Sequence, residues 1–596
     1  MEFTYKKNAN TKLFTSANDK LDLENSQNYI PLYNVFFELN QSNYNLVSLN
    51  NFGELLTIKN KISENIYECD VKMSNDTRSK ERKIYFKYSP LLDHMKYLIG
   101  NYDNSLNILE LPRYNNTNEI NEKLVDSNNC AYVDGFFSYL TSELLHTHKF
   151  LNGLDYFGSF LSIKNNYKFD ISDDIEYLND SEYFHKNMGI LFNLENDYRN
   201  NIFNYDTRDY KKRLIIDTPN DVSLNIIELS DINNLSEIEE IVDNSELFLD
   251  TVDTSEVLLD TVDTSEVLLD TVDTSEVLLD TVDTSEVLLE VSKDTDSSVY
   301  AGSSSEYSEC SSRSSVTDNI DISGSECSSV NDESEYDSES TATEDGFNII
   351  IPKFPVEVIA LEQCENTLDE LIINNEKELK EGEWASIVLQ ILFMLTCYQK
   401  TFNFTHNDLH TSNIMYITTT KPHLYYKYDN INYKVPTHGR IFKIIDFGRA
   451  IYKFRGNRIC SDSFHEKGDA GSQYNCEPYL NKNKPIIEPN YSFDLCRLGC
   501  SIYDEIEDDL NKSKNSIKNI IANWCIDDKG RNVLYKSNGE IRYPEFKLYK
   551  MIARTVHNHV PGIELKNKYF NKYIVSKKMI KRNVRIINID SIPIYI

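Results

Sequence analysis

The sequence predicts an α+β protein with a small β-rich first part and a mainly helical second part, interrupted by a long acidic insertion. Three observations predict it. Strand-like alternation with β-branched and aromatic enrichment is concentrated in residues 54–90 and 154–165. Apolar residues at helical spacing dominate after residue 383. Between the two, residues 221–346 hold 35 Asp and Glu against 2 Lys and Arg, so one segment carries nearly all of the net charge of −34.

Residues 1–45 are polar and Asn-rich and give no clear assignment. "ELLTIKNKIS" (54–63), "NIYECDVKM" (65–73) and "RKIYFKYSP" (82–90) read as strands, and "DNSLNILELP" as a further extended piece. "AYVDGFFSYLTSELLHTHKFL" (131–151) has helical spacing, and "LDYFGSFLSIKN" (154–165) returns to strand. Residues 242–290 repeat with a period of ten, "TVDTSEVLLD" three times and then "TVDTSEVLLE", and 293–345 are Ser-rich and acidic. Such a composition does not offset the entropy of ordering, so 221–346 is expected to be mostly disordered, an acidic spacer rather than a solenoid. "FNIIIPKFPVEVIALEQCENTLDELI" (347–372) reads as strand, turn and helix. "EWASIVLQILFMLTCYQKTF" (383–402) reads as a long buried helix. "NIMYITT" and "IFKIIDF" read as strands, and 492–506 and 543–559 as helices.

Outside the acidic segment the charge is balanced, so no basic patch argues for nucleic-acid binding. The 11 cysteines show no CxxC pair, which points to a reducing compartment. Cys496 and Cys500, four apart on a helix, read as small buried apolar residues. The opening "MEFTYKKNANTKLF" lacks the apolar core of a signal peptide, and the apolar run 387–398 is too short to span a bilayer. An intracellular protein without membrane insertion is expected.

The chemistry is concentrated in "FTHNDLHTSNIMY" (404–416) and "FKIIDFGRA" (442–450). Asp408, Asn413 and Asp446 form an acid–amide–acid set. Phosphoryl transfer needs little covalent help; it needs metal ions on the phosphates and an acceptor hydroxyl held in line. Asn413 and Asp446 are hard oxygen donors suited to Mg²⁺, and Asp408 is a separate acid able to position the hydroxyl and take its proton. Gly448 after Asp446-Phe447 permits a sharp turn.

With these residues the chain resembles the eukaryotic-type protein kinases, whose catalytic loop reads H-R-D-L-x-x-x-N and whose metal loop reads D-F-G. His406, Asp408, Leu409 and Asn413 match the first, and Asp446, Phe447 and Gly448 the second. The resemblance implies a bilobal kinase-like fold: N-lobe 46–220 and 347–366, with the insertion 221–346 inside it, and C-lobe 367–596. It implies ATP and Mg²⁺ between the lobes and transfer to Ser or Thr of a protein substrate. Backbone groups from Glu362 to Cys364 would meet adenine. Lys87, with Lys83 as the alternative, would contact phosphate, and Glu143 of the helix 131–151 would pair with it. Asp494 would brace the catalytic loop from beneath. "CEPYL" (476–480) would stand where the family has A-P-E.

The chain departs from the family in three places. No G-x-G-x-x-G precedes Lys87. Asn407 replaces the Arg that in many kinases pairs with a phosphorylated activation loop. His410 replaces the Lys that contacts the transferred phosphate; a His there is expected to donate to the phosphate and also occurs in small-molecule phosphotransferases. An inserted hairpin capped by Asp429-Asn430 lengthens the path from Asp408 to Asp446. With the Asn-, Ile-, Lys- and Tyr-rich composition, these features are similar to kinase-like proteins of giant DNA viruses. The alternatives are a pseudokinase that keeps the loops as a binding module, and a small-molecule phosphotransferase. The Ser-rich acidic insert is expected to be phosphorylated.

Overall fold

The alternating segments of the first part form one antiparallel sheet in the computed structural model, which describes residues 3–102, 108–115, 120–195, 347–373, 379–510 and 516–596. Its strands are β1 (Leu23–Gln27), β2 (Gly53–Ser63), β3 (Ile66–Met73), β4 (Lys80–Pro90), β5 (Tyr156–Asp170) and β6 (Asn348–Glu362). They lie side by side as β1-β5-β6-β4-β3-β2, and the short strand Asn193–Leu194 also pairs with β6. On β3 the period of two sends Tyr67, Cys69, Val71 and Met73 inward. On β6 every residue from Phe354 to Leu361 is buried, because this central strand is covered on both faces.

The helix expected over 131–151 is α2 (Cys130–Thr147), which follows α1 (Thr11–Lys20). Asn129 begins α2, its side-chain oxygen accepting from the Ala131 N–H. Every residue from Ala131 to Leu144 is buried, and the N-terminal residues cover part of the helix: Phe3 and Phe36 meet Phe136 at 5.5 and 5.1 Å between ring centres. Residues 1–45 carry no clear sequence pattern. The structure gives them α1 and the edge strand β1, held by Asn side chains such as Asn28, which donates to the carbonyls of Asn8 and Asn45. Of the extended piece expected over 103–112, 103–107 lie outside the described residues and 108–110 form a turn. The insertion 221–346 and its repeats also lie outside them.

The second part is organised by α3 (Glu381–Phe402) and three further helices: α4 (Phe493–Ile506), α5 (Ile517–Trp524) and α6 (Lys547–Thr555). α3 is a core helix, with 94% of its most apolar 18-residue window buried. After it come β7 (Ile414–Thr418), the hairpin β8 (His423–Tyr428) and β9 (Ile431–Pro436), and β10 (Arg440–Ile444). β10 returns antiparallel to β7 in the register Ile414–Ile444. The hairpin turns at Asp429 and Asn430 (φ 50° and 60°), the two left-handed residues that a tight two-residue turn demands. Its Tyr426 stacks on Phe393 of α3 at 4.2 Å.

The two parts are stitched by buried polar contacts. Gln390 of α3 accepts from the Asn152 side chain and from the Phe442 N–H, both at 3.1 Å. Lys443 of β10 is buried, donating to Gly153 O at 2.7 Å and to Glu362 Oε1 at 2.5 Å. A cation there without its carboxylate would cost several kcal/mol, about 3–5. The contact therefore fixes the end of β6 against β10.

Candidate active site

The loop 404–413 joins α3 to β7 and carries Asp408 and Asn413. Its course is set by Asp494 in the first turn of α4. The buried Asp494 carboxylate accepts from the backbone N–H of His406 and of Asn407, each at 2.9 Å. Asn407 has φ 66°, a left-handed conformation that Asn tolerates better than most residues. Its amide donates to Arg449 O at 2.9 Å and accepts from Tyr474 OH at 2.7 Å. Asn407 thus ties the loop directly to the segment after Gly448. His406 Nε2 donates to Ile445 O at 2.9 Å, and its ring lies 5.7 Å from that of Phe447. Phe447 in turn packs 4.7 Å from Phe137 of α2.

Asn413 donates through Nδ2 to Asp408 O at 2.9 Å and to His410 Nε2 at 3.0 Å. Burial lowers the His410 pKa to about 4, so the ring is neutral near pH 7 and its Nε2 accepts. Its Nε2 steadies Asn413, and the proton of the neutral ring is carried by Nδ1. Asp408 receives Tyr549 OH on Oδ1 at 2.7 Å and faces Arg449 Nη1 from Oδ2 at 3.6 Å. Burial pushes its carboxyl up, but Arg449, His410, Arg497 and the Tyr549 hydroxyl outweigh it and hold the pKa at about 2.

On the sheet side, Lys87 of β4 bridges Asp134 of α2 at 2.7 Å and Asp446 at 2.8 Å. Burial opposes its charge, but the two carboxylates prevail and raise its pKa. Lys83 is exposed beside the β2–β3 hairpin. The acid on α2 is Asp134 and not Glu143. Glu143 sits about two and a half turns further along the helix, buried, with a pKa raised by burial to about 7. Asp134 also accepts the Phe447 N–H at 2.9 Å and the Ser89 hydroxyl at 3.2 Å. The sequence carried a signal for it: an acid inside the apolar run "AYVDGFFSYL" must be paired if that run is buried.

Asp446 adopts φ 60° beside Gly448. Its Oδ2 and the Oδ1 of Asn413 are buried and lack a hydrogen-bond partner among the described residues. Two unpartnered hard oxygens fit Mg²⁺, which takes one or two protein ligands and completes its shell with phosphate oxygens and water. Glu362 is occupied structurally: its N–H donates to Asp155 O at 3.0 Å and its carboxylate accepts from Lys443 and from the Asp155 N–H. The Cys364 N–H has no acceptor among the described residues. Burial raises the Cys364 thiol to about 12, so the thiol stays protonated. Above Lys87 the β2–β3 turn is Glu64-Asn65, with Asn65 at φ 58° and no glycine.

Beyond β11 (Ile451–Phe454) and β12 (Asn457–Cys460), the buried Asp462 pairs with Lys123 and accepts the Cys130 N–H at 2.9 Å. A carboxylate at this end of α2 also meets the positive end of the helix dipole. Arg449 is held from its other side by Asp469 at 2.6 Å.

No protein-family model matches the chain. A probable serine/threonine-protein kinase of Dictyostelium discoideum is similar to it, 30% identical over 114 residues, which are 18% of this chain and 9% of that protein. The chain thus spans less than a tenth of that relative's length, and the similarity supports a kinase-like relationship over that stretch.

Proposed function

We propose that this chain is an ATP- and Mg²⁺-dependent protein kinase of bilobal build, transferring the γ-phosphoryl group to Ser or Thr hydroxyls of an intracellular protein substrate. The observation that carries the reading is Lys87 bridging Asp134 and Asp446 while Asn413 Oδ1 and Asp446 Oδ2 stay buried and unpartnered. Lys87 meets the phosphates of ATP, and the Cys364 N–H is the donor available to adenine. Asn413 and Asp446 would hold Mg²⁺, which neutralises phosphate charge. Asp408 orients the acceptor hydroxyl. As the acceptor oxygen bonds to the γ-phosphorus and ADP leaves, the hydroxyl proton passes to the Asp408 carboxylate. The likeness to giant-virus kinases rests on sequence pattern alone.

The Glu64-Asn65 turn favours a second reading, a pseudokinase that binds partners without turnover, because no glycine brings backbone N–H groups over the phosphates. Transfer from γ-labelled ATP to a panel of proteins and small hydroxylated molecules decides. Asp408→Ala should lower transfer by about 10²–10⁴-fold. Label on small molecules alone would replace the protein-kinase reading, and no transfer with ATP still bound would establish the pseudokinase.

A further inference from the structure

Asp408 is held by more than its own loop. Tyr549 of α6 donates its hydroxyl to Asp408 Oδ1 at 2.7 Å, and Arg497 of α4 donates through Nε to the same phenolic oxygen at 2.8 Å. The Arg449 and Arg497 guanidinium groups lie 5.7 and 5.1 Å from the centre of the Tyr549 ring, close enough for cation–π attraction. Arg497 follows Asp494 by three residues, so both project from one face of α4. That helix thus braces the loop twice, through the backbone of His406 and Asn407 and through the Asp408 carboxylate by way of Tyr549.

We propose that Tyr549, fixed by Arg497, is a positioning residue for Asp408, with Arg449 flanking the second carboxylate oxygen. This rests on the kinase reading above. The terminal torsion of an Asp side chain is broad, and in-line transfer needs the carboxylate aimed. A hydroxyl on Oδ1 and a guanidinium beside Oδ2 fix that torsion. A carboxylate has about four lone-pair sites, so the two oxygens retain capacity for an acceptor. The surroundings favour positioning over obstruction: Lys87, Asp134, Asp446 and Phe447 are joined to one another by ion pairs and a hydrogen bond, and His406 of the same loop donates to the neighbouring Ile445 O.

The test is Tyr549→Phe, which deletes one oxygen from the full chain. The kcat for transfer should fall by about tenfold or more, with the KM for ATP unchanged within about twofold. Arg497→Ala should reproduce the effect, and Tyr549→Phe should add no further loss to Asp408→Asn, since it acts through Asp408. A rate equal to or above the native one would overturn the proposal and make the hydroxyl an obstacle to the acceptor. A rise in KM for ATP alone would overturn it too. If the native protein transfers no phosphate, the kinase reading fails by itself. A crystal structure of Tyr549→Phe then decides the positioning role: Asp408 leaving its rotamer supports it, and Asp408 unmoved overturns it.

Discussion

On the α4 side, the loop 404–413 is held at many points. Asp494 grips two N–H groups, Asn407 ties it to Arg449 and Tyr474, and Tyr549 and Arg449 flank Asp408. On the sheet side one cation, Lys87, stands between two carboxylates under a turn without glycine. Loss of one contact on the first side leaves the others in place. Loss of Lys87 leaves Asp134 and Asp446 buried together without their counter-charge. The contrast teaches that the acid is anchored at several points, whereas on the proposed kinase reading the phosphates depend on one residue.

The comparison breaks most sharply at Lys87. Lys87→Met should lower transfer by about 10²–10³-fold and cost about 3–5 kcal/mol of stability, because a buried ion pair loses one partner. Chemical denaturation reads the second effect, and Asp134→Asn in the same chain should restore part of the stability and none of the transfer. On the other side, Asp494→Ala strands two buried N–H groups, each costing about 1–3 kcal/mol. Its melting temperature should fall by several degrees, and transfer should fall less than in Lys87→Met. The smallest effect separates the two acids of α2. Glu143 has a folded pKa raised to about 7 from an ordinary value of 4.5. Its contribution is intact below that ordinary value and is lost as pH rises through 7. Glu143→Gln should therefore match the native protein near pH 5, exceed its stability at pH 8 by about 2–3 kcal/mol, and leave transfer unchanged. Urea melts at the two pH values check it.

Much of the catalytic loop was legible because its chemistry is local. Asp408, His410 and Asn413 fall within six residues, and the Asp429-Asn430 turn between β8 and β9 carries its own conformational signature. The helix α2 was legible as a helix, but its partner for Lys87 was not. From Ala131 to Leu144 it is buried on every side, so no polar face orients it, and only the apolar run around Asp134 sets that acid apart from Glu143 until the sheet beneath is known. The N-terminal residues resisted for another reason. Their turns are fixed by Asn side chains bonding to distant backbone, as Asn28 does with Asn8 and Asn45. Tyr549 stands 141 positions from the acid it touches, a separation no local pattern encodes.

Asp462 has a consequence in time. A link between α2 and the segment after β12 that was made by a phosphate would last only until a phosphatase removed it, and its presence would report a past signal. A carboxylate written into the chain forms when the chain folds and ends only when it unfolds. With Asp462 holding Lys123 and the first turn of α2, this contact on the helix that carries Asp134 is inherited rather than acquired.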